Sequence, residues 1–125
     1  MENLIITILL TSIPILLAGT GELISEKSGV LNLGVEGMML TGAVTALGSV
    51  LIIGNPYAGI IFGAVAGILI SCIFSFFTIS LMTNQVATGL GLTIFATGLT
   101  GLIGEPFVGK TIPSLPKIEI LFLSD

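Results

Sequence analysis

Side chains able to do chemistry are scarce in this chain, and the first to inspect form a single stretch. Gly104–Thr111, GEPFVGKT, matches the phosphate-loop pattern G-x-x-x-x-G-K-[ST] letter for letter. Cradling phosphates needs a strand before the glycines and a helix after them. Here an uncharged apolar run precedes the pattern, and Pro113 blocks a helix straight after it. The match reads as accidental. There is no His, and Cys72 is the only cysteine, so a His/Cys metal cluster and an intramolecular disulfide are both excluded. Cys72 is expected to pack as a small apolar residue. With no His, Cys or Asp pair in the apolar runs, no catalytic residue, cofactor or metal is assigned.

The remaining polar chemistry gathers in Gly19–Gly37, GTGELISEKSGVLNLGVEG, which holds Glu22, Glu26, Lys27 and Glu36. Glu22, Glu26 and Lys27 read as charges at the water interface, with Lys27 paired to Glu22 or Glu26. An ionisable group inside a bilayer is costly and faces a bundle interior or water. If the segment is embedded and helical, Asn32 and Glu36 share a face at spacing four, and Ser28 lies one step further back. Two readings stay open for Asn32 and Glu36. They line a polar path with Ser28, or they are structural, capping a broken helix or clamping its neighbours. Asn84 and Gln85 read as helix-start residues, because Asn is a good N-cap. Thr88, Thr93, Thr97 and Thr100 read as packing hydroxyls on one helix.

The elements that must position these residues are set by composition. The chain has 125 residues, 54% of them hydrophobic and 8% charged, with mean hydropathy +1.20. A soluble domain carries about 25% charged residues, and a globule of this size exposes too much surface to do without them. From Gly37 to Gly104, 68 residues pass without Asp, Glu, Lys, Arg or His. A span needs about 20 apolar residues, so this gap holds three, and Asn3–Gly21 supplies one more. The expected fold is all-α, a polytopic transmembrane bundle of about four spans. The first covers Leu4–Ala18, with Pro14 inside it, and a broken or re-entrant segment joins it to the second, Met38–Ile53. Asn55-Pro56 then makes a turn. The third span, Tyr57–Met82, carries Gly59, Gly63 and Gly67 at four-residue spacing, a smooth stripe for close helix packing. After Thr83-Asn84-Gln85 comes the fourth, Val86–Ile103, and then a polar loop to Glu119. The first span reads as a retained helix rather than a signal peptide, because Glu2 gives its start the wrong charge. The net charge of −4 and the lack of a Lys/Arg cluster argue against a nucleic-acid partner. The apolar run Ile120–Leu123 is too short to span, which leads us to expect an incomplete chain.

Two stretches carry a family resemblance. GELISEKSGVLNLGVEGMMLTGA, Gly21–Ala43, closely resembles a signature near the start of ABC-importer permeases for nucleosides and simple sugars, part of the wider group that handles ribose and branched-chain amino acids. NQVATGLGLTIFATGLTGLIG, Asn84–Gly104, resembles a second element of the same permeases, and GEPFVGKTIPSLPKIEI fits the loop that follows it. The chain departs from the pattern at Leu81-Met82-Thr83, which lacks the basic residues usual there.

The resemblance implies that residues 1–125 are the front part of a permease transmembrane domain in the plasma membrane. It implies a path for a nucleoside or simple sugar; on the first of the two readings above, Ser28, Asn32 and Glu36 line it and hydrogen-bond ribose or base groups. It implies a separate ATP-binding cassette ATPase subunit, a second permease subunit and an extracytoplasmic substrate-binding protein as partners, with membrane lipid around them. It places Asn84-Gln85 inside and the N-terminus outside, against the vote of Lys110 and Lys117 under the positive-inside rule. The alternative is a truncated or small structural membrane protein with no transport activity of its own. If the phosphate-loop match is accidental, a photoreactive ATP analogue will label this chain equally with and without Lys110→Ala; labelling that disappears with the lysine would restore the nucleotide site.

Overall fold

A computed structural model describes residues 1–116. Helix α1 spans Glu2–Lys27, α2 Val35–Ile53, α3 Pro56–Ser75 and α4 Gln85–Gly104. A π-helical turn, Phe76–Ser80, continues α3, and a 3₁₀ turn, Glu105–Phe107, follows α4. Among the described residues these four helices are each long and apolar enough to cross a membrane. The fold is thus an all-α bundle of membrane spans. The run Ile120–Leu123, Lys117 and the end of the polar loop lie outside the described residues.

Helix α1 is longer than the sequence suggests. It runs through Gly19 and Gly21 to Lys27, because Glu22–Lys27 (ELISEK) is rich in good helix formers that outweigh two isolated glycines. What stops it is Gly29, at φ +84°. The Gly29 N–H donates to the Glu26 carbonyl, and the Val30 N–H reaches back to the Ser25 carbonyl. These are the two bonds of a Schellman cap, whose left-handed position suits a residue without Cβ. Only Ser28–Gly34 is left outside the helices, far less than the Gly19–Gly37 expected.

The other ends are set by the residues the sequence marks. Gly54, at φ +75°, closes α2, and the Asn55 side chain accepts the Tyr57 N–H ahead of Pro56 at the first position of α3. The third span, α3 with its π-helical turn, ends at Ser80 rather than Met82. Its last turn widens, with the Leu81 N–H donating to the Phe76 carbonyl, and Met82 takes φ 49°. The Thr83 hydroxyl and N–H both donate to the Phe77 carbonyl. Asn84 caps α4 by accepting the Ala87 N–H at 3.0 Å.

Helix α2 is the centre of the bundle, with α3 along one side and α4 along the other. Against α3 the contact is made by small residues. A Cβ on Gly63 would lie 3.0 Å from both the Ala46 Cβ and the Gly42 carbonyl oxygen, and one on Gly59 would meet Val50 Cγ2 at 2.5 Å. Past Gly63 the two helices part. Nothing lies within 4 Å of a Cβ built on Gly67, which instead lines a groove between α1, α2 and α3. Against α4, a Cβ on Gly37 would lie 3.0 Å from Thr93 Cα and Ala96 Cβ, and one on Gly48 would come within 3.1 Å of the Phe107 ring. Ala96 is fully buried. Helix α1 has no buried residue at all. Cys72 is exposed on the groove rather than packed in a core.

Overpacking a tight contact costs about 1–3 kcal/mol. Gly63→Val should therefore lower the melting temperature of the intact protein in detergent, whereas Gly91→Val, with open space around it, should leave it close to wild type. Equal melting of the two variants would show that the α2–α3 contact is looser than described.

Candidate functional site

The polar residues converge on the short connection between α1 and α2. Outside a helix the backbone N–H and C=O groups must find other partners, and several of those in this connection bond to side chains of the neighbouring helices. The Leu31 N–H donates to Gln85 Oε1 at 2.7 Å, and the next amide, Asn32 N–H, donates to Glu22 Oε1 at 2.8 Å. Successive amides of an extended chain point in opposite directions, so one is held from α4 and the other from α1. The Gly34 N–H donates to the Asn32 side-chain oxygen at 3.0 Å, a local turn bond that starts α2. Among the carbonyls, that of Val30 accepts from Ser25 Oγ at 3.0 Å, that of Leu33 from Thr93 Oγ1 at 3.1 Å, and that of Gly29 makes a longer contact of 3.5 Å with Gln85 Nε2.

The α4 side of this site is one helix face. Gln85, Gly89 and Thr93 recur every four residues and so stand in line. Gln85 and Thr93 reach the loop, and Gly89 between them lets it lie flat. A Cβ on Gly89 would come within 2.9 Å of the Gly34 nitrogen and 3.0 Å of Leu33. The loop rests on bare helix backbone.

The residues singled out from the sequence fall differently. Ser28, Asn32 and Glu36 do not share a helical face, because Gly29 ends α1 and α2 starts only at Val35. Ser28 is exposed and its hydroxyl donates to the Ile24 carbonyl at 3.0 Å. Asn32 is half-buried and its side chain is engaged within the loop, including an amide contact to Met38 Sδ at 3.5 Å. Glu36 stands exposed in the first turn of α2, where a carboxylate is favoured by the helix dipole. Glu22 bonds to the loop backbone. It is half-buried and spends one oxygen on the loop, while its Oε2 is buried without a hydrogen-bond partner among the described residues. Glu26 and Lys27 are exposed.

Beside this loop, α1 stands off from α2 and α3 across an open groove of about 1090 Å³. Its walls are mostly apolar, with Pro14 and Leu17 on one side and Met38, Gly67 and Ser71 on the other. The phosphate-loop match has no such architecture. Gly104 ends a helix, Gly109 takes φ +79°, and no helix follows it through residue 116. Sequence reasoning missed Gln85 and Glu22 as partners of the loop, since their bonds are to backbone amides 54 and 10 residues away. The only signal was a glycine, Gly89, one turn after Gln85 and one turn before Thr93.

The geometry can be set beside known proteins. A family model described as branched-chain amino acid transport system / permease component matches residues 4–124. The protein named "Putative glucose ABC transporter permease protein" of Haloferax volcanii is 45% identical over 104 residues, 83% of this chain and 32% of that one. The guanosine ABC transporter permease protein of Bacillus subtilis is 32% identical over 134 residues, covering 90% of this chain and 42% of its own length. The nucleoside ABC transporter permease protein of Lactococcus lactis is 29% identical over 109 residues, 79% of this chain and 33% of that protein. The chain thus spans 32% to 42% of the length of the curated relatives it matches. No solved structure matches it.

The seat of the loop is testable by itself. Gly89→Ala should lift the loop off α4 and speed hydrogen–deuterium exchange across residues 31–34, whereas Gly91→Ala, with nothing within 4 Å, should not. Unchanged exchange in Gly89→Ala would mean that the loop is held elsewhere.

Proposed function

The chain belongs to the family of permease components of the branched-chain amino acid transport system, a multi-pass protein of the plasma membrane, and from that premise we propose that it forms part of the translocation path of an ABC importer. The family match over residues 4–124 carries this reading. Transport of this kind moves a solute without covalent chemistry, which fits a chain whose polar groups serve hydrogen bonding and helix packing. Hydrolysis of ATP falls to a separate cassette subunit. A second permease subunit and an extracytoplasmic substrate-binding protein complete the importer.

The cargo we propose is a nucleoside or a simple sugar. What supports it is the names of the relatives, one a glucose permease and two permeases for guanosine or nucleosides. Residues 1–125 correspond in this reading to the front part of the permease domain, with the N-terminus outside and the loop Ser28–Gly34 on the cytoplasmic side. The bond between Leu31 and Gln85 puts the α1–α2 and α3–α4 connections at the same end of the bundle, as alternating spans require.

Ser28, Asn32 and Glu36 are the polar lining we propose for this end of the path. Glu36 is the sharpest of the three, because its carboxylate is exposed, whereas the Asn32 side chain is engaged in the loop turn. A carboxylate is suited to accept hydrogen bonds from sugar hydroxyls or base N–H groups.

Uptake of radiolabelled guanosine and glucose, in cells making the complete importer, tests this. We expect one of the two to enter in an ATP-dependent way, and Glu36→Ala to lower its uptake about tenfold, the loss of one hydrogen bond to a charged group. Entry of neither a nucleoside nor a sugar would overturn the cargo, and full uptake by Glu36→Ala would remove that residue from the path.

A further inference from the structure

Glu22 and Gln85 have no place in the path proposed above, yet they hold adjacent backbone amides of one loop from two different helices. Gln85 Oε1 takes the Leu31 N–H at 2.7 Å from the α4 side. Glu22 Oε1 takes the Asn32 N–H at 2.8 Å from the α1 side. Between them the main chain of the loop has little freedom, and what it carries next is Asn32, whose side chain starts α2, and then Glu36 one turn later.

A carboxylate is an expensive way to hold a single amide. A buried oxygen left without a partner costs free energy, and Glu22 Oε2 has none among the described residues. A Ser or Thr at this place in α1 would be too short to cross to the loop, and an apolar residue would leave the Asn32 amide unpaired. The Gln85 side chain shows the same economy of reach, its amide group lying alongside the loop backbone as another peptide group would.

We propose that Glu22 and Gln85 are positioning residues of the transport path. They grip the α1–α2 loop from opposite sides, and that grip sets where Asn32 and Glu36 present their polar groups to the cargo. The inference rests on the reading of the chain as part of an importer. It requires only an acceptor at residue 22, facing the Asn32 amide, and an acceptor at residue 85, facing the Leu31 amide. Neither residue touches the cargo.

The experiment is concentration-dependent uptake of the cargo identified for the wild-type importer, with the amount of protein in the membrane measured in parallel. Glu22→Ala and Gln85→Ala should each raise KM roughly tenfold, the factor that corresponds to about 1.4 kcal/mol, with the maximal rate per importer much less affected. Glu22→Gln keeps an acceptor toward Asn32 and should restore KM to near wild type, and Gln85→Glu keeps the shorter of its two contacts and should do so in part. A merely structural role would lower the amount of importer and the maximal rate at constant KM, in Glu22→Gln as little as in wild type; that pattern overturns the proposal. If the alanine variants do not reach the membrane, Gln85→Asn, the same amide one methylene short, takes their place, and an unchanged KM there is equally fatal. Absence of any uptake by the wild type is a different result, since it refutes the importer reading before the two residues are tested.

Discussion

A backbone that leaves the helical state needs other partners for its polar groups, and the loop Ser28–Gly34 finds several of them on α1 and α4. The rest of the architecture follows from the solution. Gly29 has to end α1 in a left-handed turn, so that the loop can start. Gln85 and Thr93 have to stand one turn either side of a glycine, so that α4 can both touch the loop and bond to it. Glu22 has to lie inside α1 rather than beyond its end, so that a carboxylate reaches the Asn32 amide. Helix α2 can then begin at Val35 with its first glycine, Gly37, already pressed against α4.

The packing elsewhere shows what helices do when the surrounding medium is as apolar as they are. With no hydrophobic drive between spans, association depends on close approach and interhelical bonds. Gly42 and Ala46 facing Gly59 and Gly63 supply the approach between α2 and α3, with atoms of one backbone near the next helix's Cα positions. Threonine hydroxyls along α4 mostly bond to their own helix, as Thr97 does to Thr93 and Thr100 to Ala96, which leaves them compatible with an apolar neighbour. Thr93 turns its hydroxyl to the α1–α2 loop, and Thr88 shares a 2.8 Å contact with Thr83 in the connection before α4. Helix α1, with no buried residue, takes no part in this close packing and is tied in chiefly through the loop.

The family assignment and the site meet in the same two stretches of sequence. The segments that carry the resemblance, Gly21–Ala43 and Asn84–Gly104, are the ones that touch in space, through Gln85, Gly89 and Thr93 against Leu31–Gly34. A signature that mixes charge, amide and glycine in an otherwise apolar chain is thus, in this structure, the record of one packed and hydrogen-bonded corner.

Composition alone determined that the chain spans a membrane as helices, because 68 residues without a charge have no other stable solvent. Local chemistry determined the turn at Asn55-Pro56 and the cap at Asn84, since both depend on bonds to residues two or three positions away. It likewise marked Gly59 and Gly63 as a surface for close approach. The extent of α1 and the partners of Ser28, Asn32, Glu36 and Glu22 were decided only by the tertiary structure. Spacing on a helix face is informative while the helix lasts, and it ends at Gly29. From there each polar group takes whichever partner another helix brings near, and Gln85, 54 residues along the chain from Leu31, is placed there by the packing of α4 on α2 and not by anything in its own neighbourhood.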